Sequence, residues 1–361
     1  MQGRSAVVRL SLDAPIAVGA PLTTEIRVPE QLSDVALPRG LLLALEAGRR
    51  LDLDDGLVYG LVVGLSNLRA DPTYLEHVLA HRDEPDAMGA VEYFRDDRVL
   101  DLVASQVAAS GPRIRIDSAC ASGSDALIVA CQWIEQGYCE DVVVIAAASM
   151  LDPVGLALFR NIQALNEEDD LGASRPFDRR RRGFVMGEGA AGLWLSARQH
   201  ETVRGWVCGY GQSMNAFKLT DMPSDLGAME NACRSALGEV EDLAFISAHG
   251  TSTLTNDVTE TRLYKSLLGE ERAYEVPVSA LKSMSGHCLG ASSLIEIVVS
   301  LEALHAGRVS PTINLLEPDS ECDLDYVANQ ARSVRGNFAL SNAFAFGGHN
   351  SSILLGREAP G

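Results

Sequence analysis

The sequence predicts an α/β protein in which helices cover mostly buried sheets. Two features predict it: strand-like apolar runs alternate with amphipathic stretches, and the polar motifs fall at the ends of those runs. With 361 residues, 47% of them hydrophobic and 22% charged, the chain has enough apolar material for a large core. The only early strand candidate is Ala6-Val7-Val8-Arg9-Leu10. Residues 57–65, 141–148 and 190–196 then read as buried strands, as do 203–212, 244–248, 277–280 and 351–355 further on. Residues 121–136 and 292–305 read as amphipathic helices between them. There is no low-complexity linker and no short-period repeat. The polar stretch Ala197-Arg198-Gln199-His200-Glu201 separates two strand candidates and marks a boundary between residues 1–200 and 201–361.

Charge narrows the function classes. Thirty basic residues stand against 49 acidic ones, a net charge of −19, which argues against nucleic acid and anionic membrane surfaces as partners. The seven cysteines (Cys120, Cys131, Cys139, Cys208, Cys233, Cys288, Cys322) show neither zinc spacing nor a disulfide framework. The first ten residues hold no apolar signal core, and no uninterrupted apolar run reads as long enough to span a bilayer. A soluble, cytoplasmic protein is the expectation.

Chemistry concentrates in three segments. In Ile116-Asp117-Ser118-Ala119-Cys120-Ala121-Ser122-Gly123-Ser124 an apolar run stops, small residues crowd a cysteine, and a helical pattern follows. A thiol at such a helix N-terminus is favoured as thiolate, and the turn's backbone N–H groups can receive an oxyanion. Alone, the residue is equally a small buried hydrophobe. His249, in Ser247-Ala248-His249-Gly250-Thr251-Ser252-Thr253, follows a strand-like run, and so does His287, in Ser279-Ala280-Leu281-Lys282-Ser283-Met284-Ser285-Gly286-His287-Cys288-Leu289-Gly290. Loops at strand ends are where α/β folds gather catalytic groups. One cysteine and two such histidines suffice to activate a thiol and polarise a carbonyl.

At these residues the chain resembles the elongating β-ketoacyl-acyl-carrier-protein synthases, the Cys-His-His ketosynthases of the thiolase-like superfamily. The resemblance also rests on Ser174-Arg175-Pro176-Phe177-Asp178 and Gly183-Phe184-Val185-Met186-Gly187-Glu188-Gly189-Ala190. Pro311-Thr312-Ile313-Asn314-Leu315 and Leu340-Ser341-Asn342-Ala343-Phe344-Ala345-Phe346-Gly347-Gly348-His349-Asn350 complete it. It runs from about residue 57 to about 356 in the family's order. It implies a five-layered α-β-α-β-α fold of two pseudo-repeated halves, the nucleophile in the first and both histidines in the second. The family's usual opening strand, Val-Thr-Gly-x-Gly, has no counterpart, so the N-terminal region reads as short and divergent.

The resemblance also implies roles. Cys120 carries the acyl chain, and the backbone N–H groups of Cys120 and Phe346 form an oxyanion hole. His249 and His287 bind the malonyl thioester carbonyl and stabilise the enolate formed as carbon dioxide leaves. Lys282 pairs with Glu260 and orients His287; otherwise these are an exposed lysine and a helix-surface glutamate. Thr251 and Thr253 contact the pantetheine arm, or serve as a turn or N-cap. The run Arg179-Arg180-Arg181-Arg182, where the family mixes in acidic residues, is a candidate docking patch for an acidic acyl carrier protein. Its alternative is a solvated loop paired with Glu167-Glu168-Asp169-Asp170. No metal and no resident cofactor is expected, since phosphopantetheine arrives on the carrier. A homodimer, or a heterodimer with a related subunit, is implied, and residues 160–165 are candidates for the acyl tunnel. Two other readings remain: an acyltransferase without decarboxylation, and a non-condensing chain-length-factor-type subunit.

Overall fold

The computed structural model describes residues 8–9, 18–19, 37–54, 56–65, 96–200 and 202–359. Of the early strand candidate, Val8–Arg9 (β1) is described, and it pairs antiparallel with Val18–Gly19 (β2). Then come α1 (Arg39–Arg49), β3 (Tyr59–Leu65), α2 (Asp96–Gln106), β4 (Arg113–Ile116) and α3 (Ser122–Glu135). β5 (Asp141–Ala148), α4 (Pro153–Asn161) and β6 (Gly189–Ser196) complete the first sheet, ordered β4-β3-β5-β6. β3 runs parallel to both neighbours, and β6 returns antiparallel along β5.

The second sheet is built from β7 (Trp206–Met214), α5 (Gly227–Leu237), β8 (Leu243–Ser247), α6 (Leu254–Leu268), α7 (Glu270–Glu275) and β9 (Val278–Ser279). α8 (Lys282–Ser285), α9 (Ser292–Ala306), the short pair β10 (Arg308–Val309) and β11 (Arg332–Ser333), β12 (Phe338–Phe344) and β13 (His349–Gly356) follow. Its order is β7-β13-β12-β8-β9. β7 begins and ends later than its apolar pattern implies, because pairing sets its ends: Trp206 lies opposite Gly356 and Met214 opposite His349.

Strand alternation separates three cores. Leu61, Val63, Val143 and Ile145 face α1 and α2, while Val62, Val142 and Val144 face α3 and α9. The inner face of the second sheet (Ala339, Ile353, Leu355) closes on the same two helices. Its outer face (Ile246, Leu340, Leu354) packs on α5 and α6. The layers are therefore α-β-α-β-α, with α3 and α9 in the centre. These two helices approach closely at Gly123, where a Cβ would lie 2.7 Å from the Leu294 Cβ.

Residues 289–306 are long and apolar enough, by length and composition, to cross a membrane, yet 61% of that window is buried inside the protein. α9 lies between two sheets, so both of its sides must be apolar.

Candidate active site

Cys120 sits in a 3-10 turn, Ala119–Ala121, at the entrance to α3. Ala119 is left-handed (φ 52°), which turns the chain sharply after β4. Ser122 locks the turn: its Oγ donates to the Ala119 carbonyl at 2.7 Å and accepts from the Ser118 N–H at 3.0 Å. The Cys120 Sγ lies 3.1 Å from His287 Nε2. One donor atom from each of Cys120, His249 and His287 falls within 4.8 Å of the others, and all three residues are buried. The two imidazoles stand edge to face, centroids 5.5 Å apart.

His287 is held by backbone as much as by side chain. Its N–H donates to the Val185 carbonyl at 2.7 Å, and its carbonyl accepts from the Gly187 N–H at 2.9 Å. The segment 183–190 is thus a clamp for this histidine, with the Phe184 ring edge-on to the imidazole. Nδ1 lies 3.0 Å from the Ser292 Oγ at the start of α9.

His249 follows β8, and here the expected ion pair is overturned. Lys282 does not pair with Glu260. Its Nζ lies 2.6 Å from Glu296 Oε1, donates to the His249 carbonyl at 2.7 Å, and lies 3.3 Å from His249 Nδ1. Lys282 therefore addresses His249 rather than His287. An ammonium can only donate, so Nδ1 accepts and the His249 proton sits on Nε2, the free edge of the ring. Glu260 instead receives the backbone N–H groups of His249 and Gly250 (2.8 and 2.6 Å), the Asn256 amide and the Tyr264 hydroxyl. It fixes the loop, not the lysine.

Glu296 is the residue the sequence reading missed. Its signal was present: a single carboxylate in the apolar run Leu294-Ile295-Glu296-Ile297-Val298-Val299. It lies one helical turn after Ser292, so one face of α9 serves both His287 and Lys282.

Burial sets the protonation states. It pushes the Cys120 thiol up to about 11, outweighing Lys282 and the backbone N–H groups of Phe346 and Cys120, which pull it down. The backbone N–H groups at the sulfur do favour the thiolate, but the dry surroundings overrule them. Burial first, then the Lys282 charge, holds His249 and His287 well below the usual imidazole range. Burial raises Glu296 to about 7 against the pull of Lys282. The resting site is a neutral thiol beside two neutral imidazoles.

A cavity of about 240 Å³ leads to these groups, lined among others by Thr251, Thr253, Phe344 and Phe346. Thr251 and Thr253 share a hydroxyl contact of 2.9 Å, and Thr253 also caps α6 by accepting from the Asn256 N–H. Phe346 opens a turn in which Gly347 and Gly348 are left-handed (φ 84° and 82°), a conformation that suits glycine. This turns the Phe346 N–H toward the Cys120 sulfur. Of residues 160–165, Ile162, Gln163 and Ala164 line the cavity. Cys120, His249 and His287 form the one group among the described residues with donor types and spacing for a metal ion, though the Lys282 ammonium opposes a cation there.

The arginine run is not one patch. Arg179 pairs with Glu317, Arg180 with Asp178, and the buried Arg181 with Asp257 and Asp319. From the acidic stretch 167–170, Asp170 acts on Arg180 through its charge alone among the described contacts. Glu168 and Asp170 take Arg175, and Glu167 takes Arg160. Arg182 alone of the four lines the cavity.

Two family descriptions cover most of the chain: "Beta-ketoacyl synthase, N-terminal domain" over residues 49–201 and "Beta-ketoacyl synthase, C-terminal domain" over residues 202–316. The chain belongs to the β-ketoacyl synthase family. It is 41% identical to 3-oxoacyl-[acyl-carrier-protein] synthase 2 of Synechocystis, over 70% of this chain and 64% of that one. It is 40% identical to the tetracenomycin polyketide synthase ketoacyl synthase alpha subunit of Streptomyces glaucescens, over 74% and 65%. The chain thus spans slightly less than two thirds of the length of these two β-ketoacyl synthases. A further relative, the putative polyketide beta-ketoacyl synthase 1 of Streptomyces halstedii, is 34% identical over 98% and 91%.

Solved structures agree. A type II polyketide ketosynthase in complex with its acyl-carrier protein superposes with TM-score 0.85 at 28% identity, over 99% of this chain and 93% of that one. The ishigamide ketosynthase/chain length factor gives 0.87 at 25% identity, again over 99% and 93%. The five layers described above are the thiolase-like ketosynthase fold.

Proposed function

We propose that this β-ketoacyl synthase catalyses decarboxylative Claisen condensation between an acyl chain on Cys120 and malonyl-acyl carrier protein, in fatty acid or polyketide biosynthesis. The observation that carries the reading is the buried triangle of Cys120, His249 and His287 at the end of a cavity.

Acylation exchanges one thioester for another. The Cys120 sulfur attacks the incoming carbonyl while its proton passes to His287 Nε2, 3.1 Å away, and then to the departing carrier thiolate. The N–H groups of Cys120 and Phe346 receive the oxyanion. In the second half, the malonyl thioester carbonyl lies against the two imidazoles. His249 already carries its proton on Nε2. His287 needs the Nε2–H tautomer, and Ser292 permits it because a hydroxyl can donate to or accept from Nδ1. Loss of carbon dioxide leaves an enolate held by two N–H donors, and its carbon attacks the acyl group on Cys120, whose sulfur departs as thiolate and takes up one proton from solvent to restore the resting thiol.

Glu260 serves as a positioning residue for the His249 loop, and Lys282 with Glu296 fixes the His249 tautomer. The thiolase-like halves, residues 1–200 and 201–361, are supported by two separate sheets either side of 200. A homodimer or a heterodimer with a related subunit is supported by β4, an edge strand whose Arg113 and Ile114 are exposed among the described residues. Seven free cysteines fit a reducing, cytoplasmic setting.

The ishigamide relative pairs a ketosynthase with a chain length factor, so a non-condensing role is the second reading. An assembled Cys-His-His site disfavours it. Two assays decide: release of labelled carbon dioxide from malonyl carrier protein, and acyl mass on Cys120. Absence of both favours the non-condensing role, and acylation without decarboxylation favours an acyltransferase.

A further inference from the structure

One charge on the cavity wall is uncompensated. Five ionisable side chains line the wall: Cys120, Arg182, Asp221, His249 and His287. The thiol and both imidazoles are neutral. Asp221 is matched by Lys218 at 3.2 Å. Arg182 is exposed, donates to the Arg181 carbonyl at 2.9 Å, and has no carboxylate partner among the described residues. The three arginines before it are all spent on internal carboxylates.

The order of groups along the wall matters. Cys120 and the histidines are buried, whereas Arg182 shares the outer wall with the exposed Ile162, Leu219 and Leu254. Thr251, Thr253 and Asn256 line the same cavity. The Asn256 Oδ1 is buried and has no hydrogen-bond partner among the described residues, which leaves an acceptor on a cavity-lining side chain. A ligand that spans the buried Cys120 and the exposed Arg182 and offers an N–H to Asn256 carries a reactive sulfur, amide groups and an anion.

We infer that Arg182 binds the phosphate of a phosphopantetheine arm whose thioester reaches Cys120. This rests on the proposed use of carrier-bound thioesters. The phosphate is common to a carrier arm and to coenzyme A. A single guanidinium gives a charge-assisted contact to it without reading the rest of the partner.

Two measurements test the assignment. The first is protection of Cys120 from iodoacetamide by phosphopantetheine or by pantetheine, which differ only in the phosphate. The wild type should be protected at about tenfold lower concentration by phosphopantetheine, and Arg182→Ala should lose that preference. Arg182→Lys should keep part of it, and Arg179→Ala, at an already paired position, all of it. The second is condensation with malonyl-phosphopantetheine and malonyl-pantetheine: Arg182→Ala should raise KM for the first about tenfold and leave the second unchanged, which also shows that the variant folds. A greater loss with malonyl carrier protein than with malonyl coenzyme A assigns the phosphate to the carrier. Equal protection by the two compounds in the wild type overturns the phosphate site and leaves the ketosynthase reading standing. Preferential protection by phosphopantetheine with no condensation on any substrate keeps the site and removes the proposed reaction.

Discussion

Alkylation of Cys120 by iodoacetamide should rise about tenfold per pH unit between about pH 7 and pH 10, without a plateau. Only the thiolate reacts, and burial pushes this thiol up to about 11. At pH 8, about one molecule in a thousand then carries the thiolate, whereas an ordinary cysteine near 8.5 is about a quarter ionised. On that ground alone Cys120 should react about two hundredfold more slowly than an exposed cysteine at pH 8. The assay is quantitative mass spectrometry of the Cys120 peptide against time across the pH series. Lys282→Met, which removes the strongest influence pulling the thiol down, should slow the reaction further. A plateau at or below pH 8 would show a resting thiolate and refute the argument that burial outweighs the helix terminus. Enzymatic acylation should lack this steep dependence, because His287 takes the proton as attack proceeds.

Lys282→Met should also destabilise the fold at neutral pH, by about 1–3 kcal/mol, since it leaves the buried His249 carbonyl and Glu296 carboxyl without their donor. Removing the ammonium raises the folded-state pKa of Glu296 beyond about 7 while the unfolded value stays. The deficit against wild type should therefore grow above about pH 7, by about 1.4 kcal/mol per unit, and be smallest below it. Urea melts at three pH values would read this, and a pH-independent deficit would contradict it. Cys120→Gln should lose condensation yet still release carbon dioxide from malonyl carrier protein, since its amide resembles an acylated sulfur; a silent variant would tie decarboxylation to the thiol. His287→Ala should lower decarboxylation by about two to three orders of magnitude for one lost oxyanion donor, and normal carbon dioxide release would remove His287 from that step. Arg181→Ala should cost about 3–5 kcal/mol by stranding the buried Asp257, and Arg182→Ala should leave the melting curve unchanged.

Local sequence was enough to single out the three side chains that cluster. Each of Cys120, His249 and His287 follows a strand-like run, and small residues mark the turns that present them. The cores were legible too, because alternation along β3 and β5 sorts side chains to opposite faces without regard to distant residues. What local sequence did not decide was how buried charges pair. Glu260 and Glu296 are both buried carboxylates on helices near the site, and only the packing of α9 against the His249 loop brings Glu296 to Lys282. The arginine run carried the same ambiguity: four identical residues separate into three internal pairs and one cavity-wall cation because the loop winds past Asp257, Glu317 and Asp319.

The sequence by itself determined the fold class and the placing of Cys120, His249 and His287 after strands, because each depends on residue type and short-range pattern. Tertiary structure alone decided the state of the thiol, the tautomer of His249 and the partner of Lys282. Those depend on desolvation and on contacts between segments far apart in the chain, and in a buried site these outweigh the local helix-terminus field that the sequence reveals.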